Sequence, residues 1–148
     1  MATREISCRL VTPTAELLSE PITYASIPAW DGLMGVQIGH APMVVELGTG
    51  ELRLEFPRET HGGGDRSYFV SGGFAKIAGD DLIILAEQAV PAEKIAESDA
   101  KAELAEAEAR KVPDDADDKA AAADAIRKVQ DAARVKLRIA SQRRTAGI

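Results

Sequence analysis

Apolar and polar positions alternate with a period of two along most of the first ninety residues, which predicts half-buried β-strands. Ile6-Ser7-Cys8-Arg9-Leu10-Val11 is such a stretch and stops at Thr12-Pro13-Thr14. Ile22 to Ile27 repeats it and stops at Pro28, and Met43 to Leu47 follows Pro42 and ends at Gly48-Thr49-Gly50. Glu51 to Phe56 alternates strictly, with Leu52, Leu54 and Phe56 on one face. Pro57 to Asp65 contains three consecutive glycines and reads as an exposed hairpin loop. Ser67–Ser71 and Phe74–Ala78 are strands around Gly72-Gly73, and Gly79-Asp80 is a tight-turn signal. Leu82 to Ala86 is a continuous apolar run, as expected of a buried strand. Eight to ten short strands at this spacing imply an antiparallel sandwich or a flattened barrel.

Beyond Pro91 the period changes. Pro91 suits the first turn of a helix, and Glu93 suits the positive end of its dipole. Ile95, Ala102, Ala105 and Ala109 form one stripe, and Val112-Pro113 ends the helix. Asp115, Asp117 and Asp118 offer caps for a second helix, in which Ala122, Ile126, Val129, Ala133, Leu137 and Ala140 follow a packing seam. The expected fold class is α+β: an antiparallel β-sandwich of about ten strands over 1–90, then an antiparallel two-helix hairpin over 91–148. The helices are expected at about 91–111 and 117–144. An alanine seam buries little apolar area, so the hairpin reads as a mobile element, with a permanently folded hairpin as the alternative.

Composition sharpens this division. Residues 91–148 hold 17 alanines, one glycine and no aromatic residue, whereas residues 1–90 hold 11 of the 12 glycines. The net charge of −6 argues against general nucleic-acid binding. That total hides three blocks: −6 over 1–90, −6 over 91–118 and +6 over 119–148. No apolar run approaches the ~20 residues of a membrane span. The N-terminus lacks a signal-like apolar stretch and Cys8 stands alone, so a reducing, cytosolic setting is expected.

Catalytic patterns are sparse. His40 and His61 are the two histidines and form no metal-binding pair. Phe69-Val70-Ser71-Gly72-Gly73 fails the GxSxG nucleophile pattern at its first position, leaving a Ser71–His40 hydrolase as a remote reading. No phosphate-binding GxxxxGK[ST] loop occurs. Cys8, in a strand, reads as a small apolar filler. An enzyme is not expected.

Two segments carry a resemblance: Gly32-Leu33-Met34-Gly35-Val36-Gln37-Ile38-Gly39-His40-Ala41-Pro42-Met43, and Phe69-Val70-Ser71-Gly72-Gly73-Phe74-Ala75-Lys76-Ile77 followed by Leu82-Ile83-Ile84-Leu85-Ala86-Glu87. With an Ala-rich hairpin after them, the chain resembles the epsilon subunit of the bacterial F-type ATP synthase, called delta in mitochondria. The resemblance implies a non-catalytic rotor part, peripheral to the cytoplasmic side of the inner (plasma) membrane. Its sandwich would bind the gamma subunit and the ring of c subunits. Its hairpin would fold down or extend toward the alpha and beta subunits, where it would inhibit ATP hydrolysis. The resemblance puts the loop from Asp31 to His40 at the c-ring, with Trp30, Asp31, Leu33 and His40 as candidate contacts. Trp30 is either an apolar contact or a core residue, and His40 either a contact or a turn former. Lys76 replaces a common glutamate, and Leu33 a frequent acid. Family members that bind ATP carry Ile/Leu-Asp-x-x-Arg-Ala, whereas Ser98-Asp99-Ala100-Lys101-Ala102-Glu103 has alanine at the arginine position, so no cofactor is expected. The candidate inhibitory face is basic: Arg127, Lys128, Arg134, Lys136 and Arg138, continued by Arg143 and Arg144. Its alternative role is to pair with the acidic first helix. A different class of function, a free-standing sandwich module with an oligomerising hairpin, fits the same elements.

Overall fold

A computed structural model describes residues 4–58 and 62–146, with side chains as far as 142. Two compact units divide the chain, Met1–Pro91 and Ala92–Ile148. His61 and the side chains of Arg143 and Arg144 lie outside the described residues.

The first unit has eight strands: β1 (Ile6–Val11), β2 (Glu16–Ile22), β3 (Tyr24–Ala29), β4 (Gly32–Gln37), β5 (Met43–Glu46), β6 (Thr49–Glu55), β7 (Asp65–Ala78) and β8 (Asp81–Pro91). They form one sheet in the order β2-β1-β8-β7-β6-β3-β4, with β5 also paired to β7. The two expected strands Ser67–Ser71 and Phe74–Ala78 are one strand, β7. Its first half pairs with β6 and its second with β5, while β8 follows it along both halves. The sheet folds on itself here, giving two layers that share β7 and β8. Counted by half-strands, five strands lie in each layer, in agreement with the expected ten.

The bend is at Gly72 and Gly73, both with positive φ (69° and 106°). A Cβ on Gly73 would run into the Leu85 carbonyl oxygen, and one on Gly72 would meet the Glu87 carboxylate. Glycine is therefore required where the two layers meet.

Alternation puts one face of each layer inside. Cys8, Leu10, Leu82, Ile84 and Ala75 line one layer; Ile27, Leu52, Leu54, Tyr68 and Val70 line the other. All pairings are antiparallel except one: β1 runs parallel to β8, with Cys8 opposite Leu82 and Leu10 opposite Ile84. Two prolines sit inside strands that the sequence pattern leaves out or cuts short. Pro21 is tolerated because β2 is an edge strand. Pro28 is tolerated because the β3–β6 ladder covers only Tyr24 to Ser26, so no bond is lost there.

The second unit begins with a 3₁₀ turn, Ala92–Lys94, rather than with a helix at Pro91. Helix α1 spans Glu97–Ala109 and α2 spans Lys119–Ala146. Asp118 caps α2, accepting a hydrogen bond from the Ala121 N–H at 3.0 Å. Ala96 precedes α1 and supplies no side-chain cap. The buried residues of α1 are Ala100 and Ala107, not the expected stripe of Ala102, Ala105 and Ala109, which is exposed. Ala100, Leu104 and Ala107 share the packed face at 4- and 3-residue spacing, and Leu104, the one large apolar side chain of α1, is partly buried. In α2 the seam is closer to expectation: Ala133 and Ala140 are buried and Val129 is exposed at its margin.

Candidate interaction surfaces

The segment from Asp31 to His40, expected as one loop, is strand β4 with a turn at each end. Ala29 pairs with Gly32, so Trp30 and Asp31 form a two-residue hairpin tip. The connection after β5 braces this tip: the Trp30 N–H donates to Glu46 O at 3.0 Å and the Gly48 N–H to Pro28 O at 3.0 Å. Trp30 is 71% exposed and Leu33 74%, so Trp30 is not a core residue.

His40 lies beyond the other end of β4, about 17 Å along the strand from the tip at ~3.3 Å per residue. Its Nδ1–H donates to the Ala41 carbonyl at 2.7 Å, and its backbone N–H to Gln37 O at 3.2 Å. These are the bonds of a turn former. Trp30, Asp31 and Leu33 are thus brought together, and His40 is set apart from them.

A second apolar cluster was not singled out in the sequence. On β5, β7 and β8, the side facing away from the core carries Val44, Phe74 and Leu85, exposed by 64%, 55% and 52%. Cross-strand pairing makes them neighbours: Phe74 is opposite Leu85 on one side and Glu46 on the other, and Val44 is opposite Lys76. A polar residue would be expected at such alternate positions, so three large apolar side chains there are the signal that was available. Exposed apolar clusters of this kind mark protein-binding surfaces.

Among the described residues, Ser71 and His40 are not brought together. Ser71 Oγ shares a hydrogen bond with Thr49 Oγ1 at 2.8 Å. Met43, three residues after His40, pairs with Ile77, six positions along β7 from Ser71 and beyond the Gly72–Gly73 bend. Burial pushes the Cys8 thiol up to about 12, so it is no nucleophile.

On the hairpin, three of the five candidate basic residues meet acids of the same unit. Arg127 pairs with Asp124 at 2.8 Å, Arg134 with Asp131 at 3.2 Å and Glu108 at 3.9 Å, and Lys136 with Glu103 at 3.2 Å. Lys128 and Arg138 form no ion pair among the described residues and leave their charge outward. Ala102 is exposed and offers no cation, and the adjacent Lys101 lies 3.2 Å from Glu97.

Among the described residues, then, the sandwich offers two exposed apolar patches of the kind that mark protein-binding surfaces. Residues 5–92 match the family model of the ATP synthase delta/epsilon chain, β-sandwich domain. The epsilon chain of Rhodopirellula baltica is 40% identical over 102 residues, covering 69% of this chain and 76% of that relative. The sodium-ion-specific epsilon chain of Propionigenium modestum is 34% identical over 110 residues, covering 73% and 77%. A chain in the Euglena gracilis mitochondrial ATP synthase structure, OSCP/F1/c-ring, superposes with a TM-score of 0.67 at 28% identity, covering 99% of this chain and 83% of that one. The chain belongs to the ATP synthase delta/epsilon family. It is a non-catalytic stalk subunit, and no helix among the described residues is long and apolar enough to cross a membrane.

Proposed function

We propose that the sandwich of this chain joins the gamma subunit to the c-ring, on the cytoplasmic face of the membrane, and that the hairpin restrains ATP hydrolysis. The observation that carries the docking role is the pair of exposed apolar patches. The Trp30–Leu33 tip is offered to the c-ring and the Val44–Phe74–Leu85 face to gamma. A β-sandwich that worked alone would gain nothing by leaving such side chains in water. The tip contact is apolar in character, because Leu33 stands where an acid is frequent in the family. The coupling ion is not read from this subunit, since one relative at 34% identity is named as sodium specific.

The restraint on hydrolysis would come from α2. Lys128 and Arg138 face outward, and Arg134 and Lys136 exchange their acids on α1 for acids on the alpha and beta subunits when the hairpin extends. Surface pairs contribute only ~0–1 kcal/mol each, so such an exchange is nearly balanced in energy.

Reconstitution tests both parts. The purified chain is added to a stalk complex depleted of its epsilon subunit, and binding, ion coupling and hydrolysis are measured. Wild type restores coupling, whereas the pair Trp30→Ala and Leu33→Ser binds at least tenfold more weakly with its fold intact. Neutralising Arg134, Lys136 and Arg138 together raises hydrolysis without weakening binding. A wild-type chain that self-associates but binds neither gamma nor the c-ring would overturn the docking reading in favour of an independent oligomerising module.

A further inference from the structure

Helix α1 lacks the usual means of standing alone. It has 13 residues, close to the ~12–15 below which isolated helices are marginal in water. Its N-terminus has no side-chain cap. Five acids and one base give it a charge of −4, and Glu106 and Glu108 sit at the negative end of its own dipole. Only Ala100 and Ala107 of α1 are buried.

Helix α2 has what α1 lacks. It runs for 28 residues, is capped by Asp118, and carries its own i,i+3 pairs Asp124–Arg127 and Asp131–Arg134. It also supplies the polar contacts that hold α1. The Gln130 side-chain amide donates to the Ala107 carbonyl at 3.2 Å, a last-turn acceptor of α1 that also receives the Arg110 N–H at 3.3 Å. Lys136 reaches Glu103 at 3.2 Å with its side chain only 22% exposed, and Arg134 lies 3.9 Å from Glu108.

We infer that α1 is a conditional helix, latched in place by Gln130 and Lys136, which opens as a separate unit while α2 stays helical. The Lys136–Glu103 contact is ionic, so that part of the latch weakens with salt. Opening also changes reach. Thirteen residues span about 20 Å as a helix and about 43 Å when extended, so α1 releases roughly 23 Å of chain between the sandwich and α2. The inference stands on contacts within the hairpin and is tested on the free chain, so failure of the inhibitory reading leaves it in place.

Hydrogen exchange of the full-length chain, read by mass spectrometry, is the test. Amides of 97–109 are expected to exchange well before those of 119–142. Gln130→Ala should speed exchange in α1 about three- to tenfold, the effect of losing one hydrogen bond, and leave α2 within twofold. Raising NaCl from 0.05 to 0.5 M should speed α1 exchange in wild type, and the response should shrink in Lys136→Met. The α2 amides report in every sample whether the unit is folded. Equal exchange in the two helices, or equal acceleration of both by Gln130→Ala, would show a single cooperative hairpin and overturn the inference. A wild-type α1 indifferent to salt would remove Lys136 from the latch.

Discussion

Replacing Gly73 with alanine should cost far more than replacing any glycine in a turn of the same sandwich. At φ 106°, residue 73 lies outside the left-handed well that L-residues visit, which costs ~1–3 kcal/mol. The new methyl would also meet the Leu85 carbonyl oxygen, with Ala86 Cα and Leu85 C at 3.0 Å. These are main-chain atoms of β8, so no rotamer change relieves the overlap. Moving them loosens the β7–β8 ladder where the two layers join, at ~1 kcal/mol for each hydrogen bond stretched. The total comes to about 4 kcal/mol, against ~5–13 kcal/mol for a unit of this size. Gly79→Ala is the control, because its φ of 60° is left-handed but a Cβ there has nothing within 4 Å. It should cost ~1–2 kcal/mol. Urea unfolding can be followed by labelling Cys8, which is buried in the sandwich core and is the sole cysteine. At ~4–8 °C per kcal/mol, Gly73→Ala should melt at least ~15 °C below wild type, and Gly79→Ala ~5–15 °C below. If the two variants fall within 1 kcal/mol of each other, the bend does not depend on close backbone approach.

Three further outcomes are expected. The raised Cys8 thiol disfavours its thiolate in the fold, so its contribution is intact below the unfolded value of about 9 and is lost toward about 12. Stability should fall by up to ~1.4 kcal/mol per pH unit over that range, a component of the slope that Cys8→Ala removes in urea titrations. Asp118→Ala should destabilise α2 by ~1 kcal/mol, seen as faster amide exchange in its first turn and not in β1. Isothermal titration of the full chain with ATP should show no tight binding, since Ala102 offers no cation; a micromolar site would refute this.

Much of the sandwich was legible because its core is built from strict alternation. β1 and β6 appear in the sequence with their inward faces already marked, whereas β8 reads as a continuous buried run although Leu85 faces outward. β2 did not appear, because Glu16-Leu17-Leu18-Ser19-Glu20-Pro21-Ile22 alternates poorly and contains a proline that only an edge strand accepts. The parallel β1–β8 pairing was not legible either, since it joins residues some 74 positions apart through no local signal. The buried face of α1 was misassigned because the alanines of the opposite face were followed rather than Leu104, whose spacing to Ala100 and Ala107 marks the packed side. Of the candidate contacts, Trp30, Asp31 and Leu33 came together, while His40 was separated by β4, which the resemblance had put down as part of a loop. The Val44–Phe74–Leu85 face was missed because each residue alone reads as an ordinary strand residue, and only the register makes them a patch.

The parallel pairing of β1 with β8 also sets an order on synthesis. β1 leaves the ribosome well before its inner partner in the sheet, beginning at Asp81, which is made more than seventy residues later. At ~5–20 residues per second, β1 and β2 wait several seconds as a lone hairpin, which is marginally stable in water. The first layer can close only when β8 has emerged, and by then the ribosome is already making the hairpin. A nascent chain stopped before β8 would therefore expose Ile6, Leu10 and Leu18 to whatever chaperone or second nascent chain is nearest, making the last strand of the sandwich the step that commits the whole unit.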